Sequence, residues 1–441
     1  MEQRRKNLTQ LFIPICLETL LYMLSGMVDT LMLSSVNDQA VGAVGTANTY
    51  IGIFIIMFSV ISSGMVAVMT QNIGAGRPGV AYQARQLGLA FNAVLGIIMS
   101  LFLSLGAGTI LSGVGVADAL MQPAKTYLQI VGGFCILNAL IPICSSYLRA
   151  FGFSKEPLYA SIIGNVINFC LNAFFLFVLH KGVAGVATAT VISRIINLVI
   201  VVLLGAVLVK AKQHPERESN REVMGQIIRI GLPSACETAI YNVSMTLVIR
   251  FLNQMDAQGL NVTARSYTMQ ITNFSYCVGA ALAQANAIMT GWHIGAKEYD
   301  ACDRGTRKAA IIGVIVAVIL ETMFALCSGW IMQLFSKDPQ MVSLVGKLLA
   351  IDIVLEIGRV TNLVYGQALK TSGDAVFPVV MGACFMILCS VGGTYLFGIR
   401  LGLLAVGAYI GMAGDECVRA VGMYLRWKSG KWKEKGLVKS R

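Results

Sequence analysis

The chain runs to 441 residues, 56% apolar and 13% charged, with a mean hydropathy of +0.71 and a formal net charge of +12. A water-soluble chain carries about a quarter charged residues, so water is excluded as the solvent for most of this one. The apolar runs are roughly 20 residues long, which suits helices that cross a bilayer and not the roughly 10-residue alternating strands of a membrane barrel. A lipid-facing backbone must satisfy its own hydrogen bonds, so the expected fold class is an all-α membrane protein.

Arg4, Arg5 and Lys6 precede an apolar run from Leu8 to Leu33. That run holds Glu18 and Asp29 and lacks a small-residue cleavage site, so it reads as the first span and not as a signal peptide. Hydropathy places the first six spans at 8–33, 45–70, 86–111, 122–147, 158–179 and 183–209. Six more fall at 228–253, 262–290, 308–335, 342–369, 376–399 and 401–425. The expected organisation is twelve transmembrane helices in two tandem six-helix lobes with a central cavity. The lobes are residues 1–209 and 228–425, joined by a cytoplasmic linker over 210–227 and followed by a basic cytoplasmic tail over 426–441.

Lys and Arg concentrate at the N-terminus, in the loops after even-numbered spans and in the tail. Only Lys125, Lys181, Arg250, Arg265, Lys337 and Arg400 fall on the other side. The positive-inside rule therefore puts both termini in the cytoplasm, and the expected location is the plasma membrane. This topology accounts for the net charge without nucleic acid. Arg426, Lys428, Lys431, Lys433 and Lys435 of the tail are placed to touch anionic lipid.

Eleven cysteines, among them Cys16, Cys135, Cys170, Cys327 and Cys389, sit singly in apolar runs with no paired metal-ligand spacing, and read as reduced core fillers. His180, His214 and His293 are far apart in loops or helix ends. Neither set supports a metal centre or a catalytic triad, so no enzyme and no cofactor is expected.

An internal repeat carries more information. Pro14-x3-Glu18-Thr19-x2-Tyr22 recurs as Pro233-x3-Glu237-Thr238-x2-Tyr241, and Ile73-Gly74-Ala75 recurs as Ile294-Gly295-Ala296. Arg149-x2-Gly152-x4-Pro157 recurs as Lys370-x2-Gly373-x4-Pro378. Each unit has an even number of spans, so both copies start from the same side of the membrane, an arrangement that suits alternating access in a transporter.

Charged residues inside a membrane cost about 2.5 kcal/mol or more when unpaired, which makes them functional candidates. The first span carries Glu18, Tyr22 and Asp29 on one face; the fifth carries Asn165, Asn168 and Asn172; the sixth carries Thr188, Thr190 and Arg194. The asparagines could simply hydrogen-bond helices together, and Asp29 could pair with Arg194. The repeat weighs against simple packing: Asp29 maps onto Val248, Asn168 onto Cys389 and Asn172 onto Gly393, so the polar cluster exists in one half only. One carboxylate with neutral oxygens suits Na⁺, or a proton on the carboxylate. Asp352, Glu356 and Arg359 on the tenth span read as a cluster that neutralises itself, with a second coupling site as the alternative. Glu237, Glu321 and Asp415 read as isolated acids, Glu237 standing out because it repeats Glu18. Pro14 and Pro233 are expected to bend their helices.

Four segments resemble the multidrug and toxic compound extrusion transporters, in order over essentially the whole chain. They are Gly26-Met27-Val28-Asp29-Thr30, Gln71-Asn72-Ile73-Gly74-Ala75-Gly76, Gly185-Val186-Ala187-Thr188-Ala189-Thr190 and Leu369-Lys370-Thr371-Ser372-Gly373-Asp374. The resemblance implies efflux of organic, often cationic, compounds in exchange for Na⁺ or H⁺. By match to the family motif, Asp29, Asn168, Asn172 and Thr190 would form the N-lobe cation site. The chain departs from members that carry a second acid where Asn172 stands, and from members with a lone acid near Arg359. Glu18, Tyr22, Glu237 and Tyr241 are the expected substrate contacts. The expected partners are small organic molecules and membrane lipid, with the chain working as a monomer. The rival reading is a lipid-linked oligosaccharide flippase, which calls for more spans or a more basic cavity than Arg194, Lys347, Arg359 and Arg419 provide.

Overall fold

A computed structural model describes residues 6–35, 38–113, 116–210, 214–256, 258–333 and 335–438. Arg4 and Arg5 of the N-terminal charge cluster, residues 211–213 of the linker and residues 439–441 of the tail lie outside the described residues.

The described chain is helical from end to end. In the first half the long helices are α1 (Leu8–Ser34), α2 (Asp38–Gly74), α3 (Pro78–Leu105), α4 (Asp118–Gly132 with Ile136–Ala150), α5 (Lys155–Val178) and α6 (Gly182–Leu208). In the second half they are α7 (Asn220–Met255), α8 (Leu260–Gly295), α9 (Tyr299–Leu326), α10 (Pro339–Thr371), α11 (Val376–Arg400) and α12 (Leu404–Lys428). The two parts of α4 meet at a bend of 43°. Seven of these helices are apolar and long enough to cross a membrane, or eight if the bent α4 is one span. The four that fall short are α7, α8, α10 and α12, which carry Glu237, Arg265, Asp352, Glu356, Arg359, Asp415, Glu416 and Arg419 and, in α8, the amides Asn273, Gln284 and Asn286.

The chain folds as two compact units, Met1–Leu232 and Pro233–Arg441. The division falls inside α7, at Pro233. The first turns of α7 belong to the first unit because glycines let backbones touch: a Cβ on Gly64 would overlap the Ile227 carbonyl, and one on Gly231 would overlap that of Val60. The linker is bound to the same unit. Gln83 donates to the Glu218 carbonyl at 2.7 Å and accepts from its N–H at 3.0 Å, Arg217 donates to the Gly79 carbonyl at 2.8 Å, and Arg77 pairs with Glu218.

The sequence repeats are structural equivalents. Gly152 and Gly373, at φ 85° and 98°, end α4 and α10 in the left-handed conformation that glycine adopts freely. Just past the ends of α2 and α8, the left-handed residue is Gly76 in one copy and Lys297 in the other. The other two anchors meet in space, since Arg149 pairs with Glu18 at 2.6 Å and Lys370 pairs with Glu237 at 2.5 Å. Pro14 lies inside α1 and has no N–H for the Gln10 carbonyl one turn back; the Ser154 hydroxyl donates to that carbonyl at 3.0 Å.

Candidate functional site

In the first unit, α1 and α5 pack together and bring Asp29 against the two asparagines. Asn168 and Asn172 are one turn apart on α5, so their side chains point the same way. The Asn172 amide nitrogen donates to Asp29 Oδ1 at 2.6 Å and to Asn168 Oδ1 at 3.2 Å. Asn172 is 0% exposed, and its own amide oxygen has no hydrogen-bond partner. A buried acceptor in that state needs a donor or a cation. A π-helical turn at Phe174–Val178 begins two residues after Asn172, a feature frequent at functional sites.

Thr190 on α6 is buried and donates to the Val186 carbonyl at 2.9 Å; among the described residues no hydrogen bond joins it to Asp29 or to either asparagine. Arg194 and the buried Tyr127 of α4 lie within electrostatic reach of Asp29, but no ion pair joins Arg194 to it among the described residues. Tyr127 carried no sequence signal because no motif or repeat includes it.

The expected substrate residues divide. Glu18 is held by Arg149, and Ser161 donates to it at 3.5 Å. Glu237, read from the sequence as an isolated acid, is ion-paired to Lys370. Tyr22 is 68% exposed. Tyr241 lines a cavity of about 220 Å³ inside the second unit, whose wall also includes Tyr276, Tyr409, Asp352, Arg359 and Glu416.

Two further readings are corrected by that cavity's surroundings. Asp415 is not isolated: Arg419 grips both its oxygens at 2.9 Å, and Ser390 donates to it at 2.9 Å. The tenth-span cluster does not neutralise itself. Arg359 pairs with Glu356 at 2.8 Å and with Glu416 of α12 at 3.6 Å, while Arg419 also takes Glu416 at 2.9 Å. Glu416, which the sequence reading passed over, is thus shared by two arginines. Asp352 Oδ2, Glu356 Oε1 and both oxygens of Glu321 are buried without a hydrogen-bond partner.

Comparison with known proteins agrees with this layout. The MatE family model matches residues 14–174 and 233–396, once in each half. An uncharacterized transporter of Bacillus subtilis (strain 168), YisQ, is 34% identical over 431 residues, covering 96% of this chain and 94% of its own. A probable multidrug resistance protein NorM of Thermotoga maritima is 24% identical, covering 98% and 94%. Among solved structures, a MATE protein in the straight conformation superposes with a TM-score of 0.88 at 19% identity, covering 97% and 96%. An outward-facing multidrug resistance MATE family transporter gives 0.86 at 18%, covering 98% and 96%. With both halves matched by one family model and a relative aligned over nearly its full length, this chain belongs to the MatE family of multi-pass membrane transporters for multidrug efflux.

Proposed function

We propose that the chain is a cation-coupled antiporter that exports organic, chiefly cationic, compounds, and that Asp29 with Asn168, Asn172 and Thr190 holds the coupling ion. The observation that carries the reading is the pairing of half-buried Asp29 with fully buried Asn172, whose amide oxygen has no partner. An oxygen-rich set with one carboxylate suits a hard monovalent cation, and the neutral oxygens favour Na⁺ over H⁺. Family membership favours efflux over the flippase reading.

In this reading the lobes are the two repeats, both termini face the cytoplasm, and the membrane is the plasma membrane. Tyr22 and Tyr241 offer aromatic faces to a cationic compound. Glu18 and Glu237 exert a weaker pull on it, because Arg149 and Lys370 already balance them. Purified protein in liposomes loaded with a cationic dye tests the coupling. Dye flux should require an opposing Na⁺ gradient, whereas flux that ignores both Na⁺ and pH gradients would remove ion coupling from the account.

A further inference from the structure

Glu321 is the most isolated acid of the second unit. It lies near the end of α9, in a stretch of the helix whose other residues from Ala309 onward carry no charge, and it is 0% exposed. α8 and α10 pack against α9. The groups that face Glu321 from them are Ser275 of α8 and Asp352, Glu356 and Arg359 of α10. Neither Glu321 oxygen has a hydrogen-bond partner of ordinary geometry. The Ser275 hydroxyl, 1% exposed, has none either.

Two of the three neighbouring guanidiniums are already committed to carboxylates. Arg359 binds Glu356 and Glu416, and Arg419 binds Asp415 and Glu416. Arg265, on the cavity wall, directs a guanidinium nitrogen to the Met245 sulfur at 3.8 Å. Glu321, Asp352, Glu356, Asp415 and Glu416 therefore outnumber the guanidiniums, and a carboxylate buried beside two others without a cation of its own does not stay ionised. Among the described residues no group of three ligands converges to hold a metal ion.

We propose that Glu321 is a proton-binding site in the second unit, separate from the ion site at Asp29. The proton comes from water and adds to one Glu321 oxygen as an O–H. The neutral carboxyl can then both donate to and accept from the Ser275 hydroxyl, and it leaves no buried charge for a cation to balance. On release the proton returns to water, by way of Asp352, which lines the cavity and has a buried oxygen free to accept it.

Infrared spectroscopy of the full-length protein in liposomes, with glutamate carboxyls isotopically labelled, tests this. At neutral pH the wild type should show the C=O band of one protonated glutamic acid that persists when Na⁺ is added. The band should vanish in Glu321→Gln and survive in Glu356→Gln. A wild type with no protonated glutamic acid band overturns the proposal whether or not the variants fold. So does a band that Na⁺ abolishes, or one that Glu356→Gln removes and Glu321→Gln leaves. Asp29 is intact in every arm, so these outcomes leave the Na⁺-gradient experiment to decide its own question.

Discussion

Glu237 and Lys370 form an ion pair of 2.5 Å that repeats, in the second half of the chain, the pair of Glu18 and Arg149 in the first. In both copies a carboxylate one turn beyond a helix proline is tied to a cation near the end of a distant helix. Removing one partner of a buried pair costs about 3–5 kcal/mol. The side chains of Lys370 and Glu237 keep 13% and 15% exposure, which brings the expected loss for Glu237→Gln to about 2 kcal/mol. Thermal unfolding of purified protein should show Glu237→Gln and Lys370→Gln each less stable than wild type, with the double variant recovering part of the loss. Strictly additive losses would mean the two groups do not interact.

Gly231 permits the close crossing of α2 and the start of α7. Gly231→Ala places a methyl group on the Val60 carbonyl, whereas Gly225→Ala, on the same helix, meets nothing within 4 Å. Overpacking of this kind costs about 1–3 kcal/mol. Gly231→Ala should lower the melting temperature and Gly225→Ala should not. Equal behaviour of the two would show that the crossing is loose.

Asp374 lies in the connection between α10 and α11 and anchors the tail. Burial pushes its carboxyl up, but hydrogen bonds from Arg426 and Lys435, both 2.7 Å, outweigh that and hold it below the usual aspartate range. A carboxyl lowered in the folded state stabilises above its unfolded value, about 3.9, and that contribution is lost as pH falls through the folded value. Wild type should therefore lose stability below about pH 4. Asp374→Asn should be less stable at neutral pH and flatter across that acid range. A variant that parallels wild type at every pH would exclude Asp374 as the source.

The linker gives a test of topology. Ser219 is exposed at the start of α7, in a stretch that the positive-inside rule assigns to the cytoplasm. A cysteine at Ser219, with the native cysteines replaced, should resist an impermeant thiol reagent in intact cells and react after permeabilisation. Labelling from outside would invert the topology.

The helical fold and the repeat were legible because both depend on local pattern: apolar length for the spans, and Pro14, Gly152 and their copies for the anchors. Asn168 and Asn172 could be grouped from spacing, since residues three and four apart share a helical face; Asp29 joined them by the family resemblance. What spacing could not show was pairing across the chain. Glu18 and Arg149 are 131 residues apart, and nothing local marks them as partners. The same holds for Glu237, which looked isolated until Lys370 was placed beside it, and for Glu416, whose charge matters only because α12 lies against α10. The close crossing of α2 and α7 was hidden for a different reason: it depends on Gly64 and Gly231, whose role is to be absent from the space that a Cβ would fill.

The central claim is that Asp29 and Asn172 hold the coupling cation, and ion-driven dye efflux from liposomes tests it most directly. Asp29→Asn should abolish efflux driven by a Na⁺ gradient while dye binding is retained, and Asn172→Ala should raise the Na⁺ concentration needed for half-maximal transport. Ion-driven efflux by Asp29→Asn at the wild-type rate would contradict the account.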